Sequence, residues 1–180
     1  MIVSVIGLGY IGLPTAALLA SQGIQVVGVD VNKSVVDTVN RGAVHIVEPE
    51  LSILVKNAVS EGNLCAKIVP VKADVFIVSV PTPFKEGFEP DLSYIESAAK
   101  SISAVLEKEN LVILESTSPV GTTEKMMKIM QKERSDLIFP VPGVDESLID
   151  IHLAHCPERV LPGKVVHELV NNDRVIGGLT

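Results

Sequence analysis

Gly7-Leu8-Gly9-Tyr10-Ile11-Gly12 has G-x-G-x-x-G spacing and directly follows the short apolar run Ile2 to Ile6. At such a turn the first glycine permits the tight reversal and the second lets backbone come close to a pyrophosphate. The third lets the following helix pack against the strand. Unpaired N–H groups and the positive end of the helix dipole then face the phosphates. The companion residue is Asp30, at the end of the next apolar run and about 18 residues beyond Gly12, where a carboxylate accepts hydrogen bonds from the adenosine ribose hydroxyls. Its charge repels a 2′-phosphate, so the expected cofactor is NAD. Lys33 nearby leaves tolerance of NADP open, and the plain alternative for Asp30 is an N-cap for a helix starting near Asn32.

The elements that must position these residues read as alternating strands and helices. Strands are expected at 2–6, 24–29, 64–69, 75–80 and 111–115, with further ones at 137–141, 149–155 and 174–176. Helices are expected at 10–21, from an Asn32 cap to 41, at 50–60, at 91–107, and from Thr122 or Thr123 to about 133. Alternation of this kind implies an α/β fold of Rossmann type: a doubly wound, mainly parallel sheet with helices on both faces. Residues 1–180 are read as one NAD-binding domain. The chain stops shortly after Val175 and Ile176 with no closing helix, so it is expected to be a fragment of a longer protein lacking central helical and C-terminal substrate domains.

Composition narrows the partners. The 15 basic and 22 acidic residues leave a net charge of -7, with no basic stripe to attract nucleic acid or an anionic lipid surface. The apolar N-terminus lacks a basic leader and is interrupted by glycines, so it reads as strand, turn and helix rather than as a signal or membrane span. Aromatics are only 3% of the chain, so an aliphatic core is expected. Two cysteines, Cys65 and Cys156, make neither a disulfide framework nor a zinc motif, and a reducing cytoplasm is the default compartment. His152, His155 and Cys156 do not promise a metal site, because residues three apart on a strand face opposite ways.

Four further segments carry a more specific signal: His45-Ile46-Val47-Glu48-Pro49, Val80-Pro81-Thr82-Pro83, Glu115 to Thr123 (ESTSPVGTT) and Cys156 to Gly163 (CPERVLPG). With the glycine turn they resemble, in order and throughout the chain, the UDP-glucose/GDP-mannose dehydrogenase family. Within it, HIVEP, ESTSPVG and CPERVLPG look most like the branch that oxidises UDP-N-acetyl-D-mannosamine. The resemblance implies a four-electron, two-NAD oxidation of the sugar C6 hydroxymethyl group to a carboxylate, by way of a cysteine thiohemiacetal and a thioester that water hydrolyses. It also implies a homodimer at full length and a role in polysaccharide synthesis.

The resemblance assigns residues as well. Tyr10 and Ile11 join Gly7, Gly9 and Gly12 at the pyrophosphate, and Asp30 holds the ribose. Thr82 and Thr117, at strand ends, line the NAD site, with local turn capping as their alternative. Glu158 positions or activates the hydrolytic water, so Glu158 and Thr117 are the candidate catalytic residues. Arg159 and Val160 are candidate substrate contacts. Exposed loop positions are the alternative for Glu158 and Arg159. Where UDP-glucose enzymes carry a second glutamate this chain has Pro162, which argues against UDP-glucose. Neither Cys65 nor Cys156 matches the family's G-G-x-C nucleophile, so residues 1–180 alone are expected to bind NAD without turnover. A different UDP-sugar such as UDP-N-acetylglucosamine, a 3-hydroxyacid dehydrogenase and a stand-alone NAD-sensing module are the other readings kept open. Glu48 is either a pocket residue or part of a plain helix start at Pro49.

Overall fold

The computed structural model describes residues 1–179. Its strands are β1 (Ile2–Ile6), β2 (Gln25–Val29), β3 (Leu64–Lys67), β4 (Val75–Val78), β5 (Asn110–Leu114), β6 (Ile151–His155) and β7 (Gly177–Gly178). They form one sheet of order β3-β2-β1-β4-β5-β6-β7, in which β7 alone runs antiparallel. The first six reproduce the Rossmann order 3-2-1-4-5-6, which reverses direction between β1 and β4.

Helices α1 (Gly12–Ser21), α2 (Lys33–Asn40), α3 (Leu51–Ser60) and α6 (Val165–Asn171) cover one face; α4 (Ser93–Ser103) and α5 (Thr122–Glu133) cover the other. The strands bury apolar side chains towards both layers, which is why they read as continuous Val, Ile and Leu runs. Small residues set the layer spacing on the first face: Gly12, Ala16, Ala17 and Ala20 of α1 are all buried. Gly28 leaves room for Leu8, since a Cβ there would lie 2.7 Å from a Leu8 methyl. The Asn32 side chain caps α2 as expected, accepting from Ser34 N–H at 3.0 Å. No helix among the described residues is long and apolar enough to cross a membrane.

Three expectations need correction. Residues 137–141 form no strand, although Leu137 and Phe139 are buried and Ile138 is exposed as a strand would place them. Pro140, and Pro142 just beyond, lack ladder donors, and the segment is tied to the start of β6 mainly through Ile138, whose N–H donates to the Asp150 carboxylate at 2.9 Å and whose carbonyl accepts from Asp150 and Ile151 N–H at 2.9 and 3.2 Å. No strand forms at 174–176: Arg174 instead donates to the buried Glu115 carboxylate at 2.7 Å, and the strand β7 follows at Gly177–Gly178. Residues 165–171, where no element was expected, are α6. Elsewhere boundaries shift by a few residues: β3 and β4 stop at Lys67 and Val78, and α4 occupies only the middle of the 91–107 stretch.

Candidate functional site

Strand register gathers the chemistry. Pairing aligns Ile6 with Val29 and Val78, Val78 with Leu114, and Leu114 with His155, so that Gly7, Asp30, Ser79, Glu115 and Cys156 all begin loops at one edge of the sheet. In open α/β sheets this carboxyl edge, at the point where strand order reverses, is where ligands bind. A cleft of about 430 Å³ lies there, lined by the glycine turn, Asp30, Ser79, Val80, Pro81, Thr82, Ser116, Thr117 and Glu158.

The three glycines do different work. Gly7 has a φ of 92°, and a Cβ on it would lie 2.6 Å from the Ser79 carbonyl oxygen. A Cβ on Gly12 would lie 1.8 Å from the Gly7 carbonyl oxygen. Both positions are closed to any side chain by the protein itself. Gly9 differs: its backbone is not in the left-handed region, and its Cβ would meet nothing within 4 Å. The space above Gly9 belongs to the cleft, as a backbone approached by a ligand requires. α1 begins there without a side-chain cap; Leu13 and Thr15 N–H are bonded to the Gly9 and Ile11 carbonyls and Pro14 has none, so the amides placed to meet a ligand are those of Tyr10, Ile11 and Gly12, beside the positive dipole end.

Asp30 closes one end. Its carboxylate accepts from Leu8 N–H at 3.0 Å and from Asn32 N–H at 2.8 Å, which ties it to the glycine turn while α2 is capped by Asn32. Beyond Asp30 and Pro81 the cleft continues into an apolar hollow of about 440 Å³ floored by Val29, Val31, Ile68, Val69 and Ala98. Ile68 and Val69 therefore leave β3 to become exposed walls of this hollow.

At the other end three residues from three loops are linked. The Thr82 hydroxyl donates to the Thr117 carbonyl at 2.8 Å, and the Thr117 hydroxyl donates to Glu158 Oε1 at 3.1 Å. Glu158 Oε2 accepts from Val160 N–H at 3.2 Å. Arg159 and Val160, by contrast, do not line this cleft; they border a small depression with Glu168, Asn172 and Arg174. Glu48, buried, accepts from Gly163 N–H at 2.6 Å and from Val165 N–H at 3.3 Å. It therefore clamps the 158–163 loop and the start of α6 rather than facing a ligand. Cys65 is exposed on edge strand β3, Cys156 is buried, and neither lines the cleft. His152 is exposed while His155 Nδ1 engages the Leu114 carbonyl at 2.9 Å.

Sequence reasoning passed over Glu115, which it quoted only as part of a motif. That side chain is 3% exposed and accepts from Ser79 Oγ at 2.6 Å, Thr15 Oγ1 at 3.2 Å and an Arg174 guanidinium nitrogen at 2.7 Å. A carboxylate closing an apolar strand was the available signal; its partners, 36 to 100 residues away, carried none. Burial acts to lower the Arg174 pKa, but the hydrogen bond and charge of Glu115 outweigh it and hold the guanidinium above its ordinary value.

A six-stranded parallel sheet of this order, with a glycine turn feeding a helix at its switch point and an acid ending the second strand, defines a Rossmann-type dinucleotide-binding domain. The sequence profile of the UDP-glucose/GDP-mannose dehydrogenase family, NAD binding domain, matches residues 1–180, and the chain belongs to that family. It is 62% identical over 99% of its length to UDP-N-acetyl-D-mannosamine dehydrogenase of Campylobacter jejuni, covering 44% of that protein. It is 57% identical over 99% of its length to an NDP-N-acetyl-D-galactosaminuronic acid dehydrogenase of Ralstonia nicotianae, covering 42%. The solved UDP-N-acetyl-mannosamine dehydrogenase of Staphylococcus aureus superposes with a TM-score of 0.89 at 40% identity, over all of this chain and 42% of that one. The chain thus spans less than half the length of the relatives it matches.

Proposed function

We propose that this domain is the cofactor half of a UDP-sugar 6-dehydrogenase that converts UDP-N-acetyl-D-mannosamine to its C6 uronate with two NAD per turnover. The observation that carries this reading is the Thr117–Glu158 hydrogen bond at the cleft that also holds the glycine turn. A cofactor fold alone serves many chemistries; a carboxylate oriented at the far end of the cofactor cleft fits one that must also handle water.

The residues fit NAD. The apolar hollow suits an adenine, Asp30 the ribose hydroxyls, and the open backbone above Gly9 with the start of α1 the pyrophosphate. Among the described residues no lysine or arginine lines the cleft, so the phosphates are met by amides and a helix dipole. Bound NAD supplies a hydride acceptor. Thr82, through the Thr117 carbonyl, fixes the loop that carries the Thr117 hydroxyl. That hydroxyl and Val160 N–H hold Glu158 in one orientation, with acceptor capacity left for a proton of the water that releases the acid product. Arg159 and Val160, on the adjoining surface, contact the sugar nucleotide once the rest of the protein closes over it. The nucleophilic cysteine comes from outside residues 1–180, and these residues alone bind NAD without turnover. We place the enzyme in the cytoplasm, as a homodimer serving polysaccharide synthesis; two unpaired cysteines fit a reducing compartment.

The identity to the Ralstonia relative favours a second reading, in which the substrate is another N-acetylhexosamine. Initial rates of the full-length protein with NAD and UDP-N-acetyl-D-mannosamine, UDP-N-acetylglucosamine, UDP-N-acetylgalactosamine or UDP-glucose decide between the two. Preference for the first supports the proposal, and preference for any other overturns the substrate assignment. Failure of residues 1–180 to bind NAD overturns the whole reading.

A further inference from the structure

Glu115 lies beneath the cleft rather than in it, and four other segments converge on it. Its side chain takes the hydroxyl of Ser79 from the loop after β4, the hydroxyl of Thr15 from the first turns of α1, and a guanidinium N–H of Arg174 from the segment between α6 and β7. Its own main chain continues β5 into Thr117, and its carbonyl accepts from Glu158 N–H at 3.3 Å. Arg174 adds a bond to the Cys156 carbonyl at 3.3 Å, so it grips the β6 loop as well as the carboxylate. Each contact leads one step further, to a cleft residue. Ser79 backs the glycine turn, its carbonyl 2.6 Å from where a Gly7 Cβ would be and its Cβ 3.2 Å from where a Gly12 Cβ would be. Thr15 sits one turn after Ile11, whose carbonyl its N–H engages at 3.0 Å.

The Glu115 side chain is buried while that of Arg174 stays 29% exposed, and an ion pair with one buried member is a poor way to stabilise a fold, since desolvation offsets much of the attraction. What such a pair supplies, when every lone pair is engaged, is direction: the acid fixes where its donors stand. Here the donors belong to the loop after β4 that backs the glycine turn, to the first turns of α1, and to the segment between α6 and β7. We propose that Glu115, paired with Arg174, is a positioning residue for NAD, locking the glycine turn, the start of α1 and the Thr117–Glu158 loops into one binding geometry. The assignment rests on the reading of the cleft as an NAD site and goes beyond it by giving a role to two residues that touch no ligand. It also makes cofactor affinity depend on where residues 172–178 sit, although they lie outside the cleft.

The test is calorimetric titration of NAD into the wild-type chain, Glu115→Gln, Arg174→Met, the double variant and Arg174→Lys, with thermal melts of the same samples without NAD. Each of the first two weakens NAD by about tenfold or more. The double variant is no weaker than the worse single one, because both remove the same link. Arg174→Lys recovers much of the loss. A pair that serves stability alone lowers the ligand-free melting temperature and leaves the dissociation constant of the folded protein unchanged; that result, or additive losses, overturns the proposal. Should Glu115→Gln fail to fold, Ser79→Ala and Thr15→Val, which each remove one donor, carry the same test, and unchanged affinity in both overturns it. A wild-type chain that binds no NAD refutes the cleft reading itself, whereas equal binding by wild type and variants refutes only the role of this pair.

Discussion

Substituting the second and third glycines of the turn separates a ligand constraint from a folding constraint. In Gly12→Ala the new Cβ would stand 1.8 Å from the Gly7 carbonyl oxygen, whereas carbon and oxygen in contact need about 3.3 Å. The turn or α1 must therefore move by about 1.5 Å within a close-packed layer, an overpacking cost of about 2–3 kcal/mol. At about 2–4 °C per kcal/mol for a chain of this length, the melting temperature falls by roughly 4–12 °C. In Gly9→Ala the Cβ meets nothing within 4 Å and the backbone is not left-handed, so the melting temperature stays within about 2 °C of wild type. The methyl occupies cleft space, however, and pushes the pyrophosphate off at least one charge-assisted amide bond worth about 1.5–3 kcal/mol, which weakens NAD by roughly 10- to 150-fold. Circular-dichroism melts without ligand and calorimetric titration with NAD read the two quantities separately. The reasoning is refuted if Gly9→Ala unfolds as early as Gly12→Ala, or if it binds NAD as tightly as wild type.

Asp30→Asn keeps an acceptor for Leu8 N–H but removes the charge, so the preference for NAD over NADP narrows by about tenfold or more in competitive titrations; an unchanged ratio shows that Asp30 does not select the cofactor. Ser4 carries a fully buried hydroxyl without a hydrogen-bond partner among the described residues, so Ser4→Ala is neutral or stabilising by up to about 1 kcal/mol in urea unfolding, and a clear loss of stability contradicts that. Asp150 is held below the usual aspartate range, first by its hydrogen bond to Lys108 and then by Ile138 N–H. Its contribution is therefore complete above the ordinary value of about 3.9 and disappears as pH falls from there through the lowered value. Melting curves of wild type and Asp150→Asn should differ at neutral pH and converge as the pH drops below about 4, and a gap that persists at low pH contradicts the assignment.

The first half of the domain was legible because its signals are local. Gly7, Gly9, Gly12 and Asp30 sit at spacings set by one strand, one turn and one helix, and the Asn32 cap acts within two residues. Thr82, Thr117 and Glu158 were found as separate motifs, and parallel register alone brings them to one place. What escaped depends on partners far along the chain. Residues 137–141 carry a true strand alternation, but two prolines deny them a ladder, so burial pattern and hydrogen bonding disagree. The seven residues of α6 follow Pro162 and Gly163, which signal a loop, and their start is secured by Glu48 from 117 residues away. Glu115 reads as one polar letter in a motif until the sheet places Thr15, Ser79 and Arg174 around it.

The lining of the cleft has a kinetic consequence. Among the described residues its only charged side chains are Asp30 and Glu158, on a chain of net charge -7. On the proposed reading an anionic dinucleotide approaches this chain against its net field and is captured only at short range, once the amides of the glycine turn take hold. Encounter is unsteered, so added salt screens a repulsion rather than an attraction, and association quickens with ionic strength where a lysine- or arginine-lined site would slow.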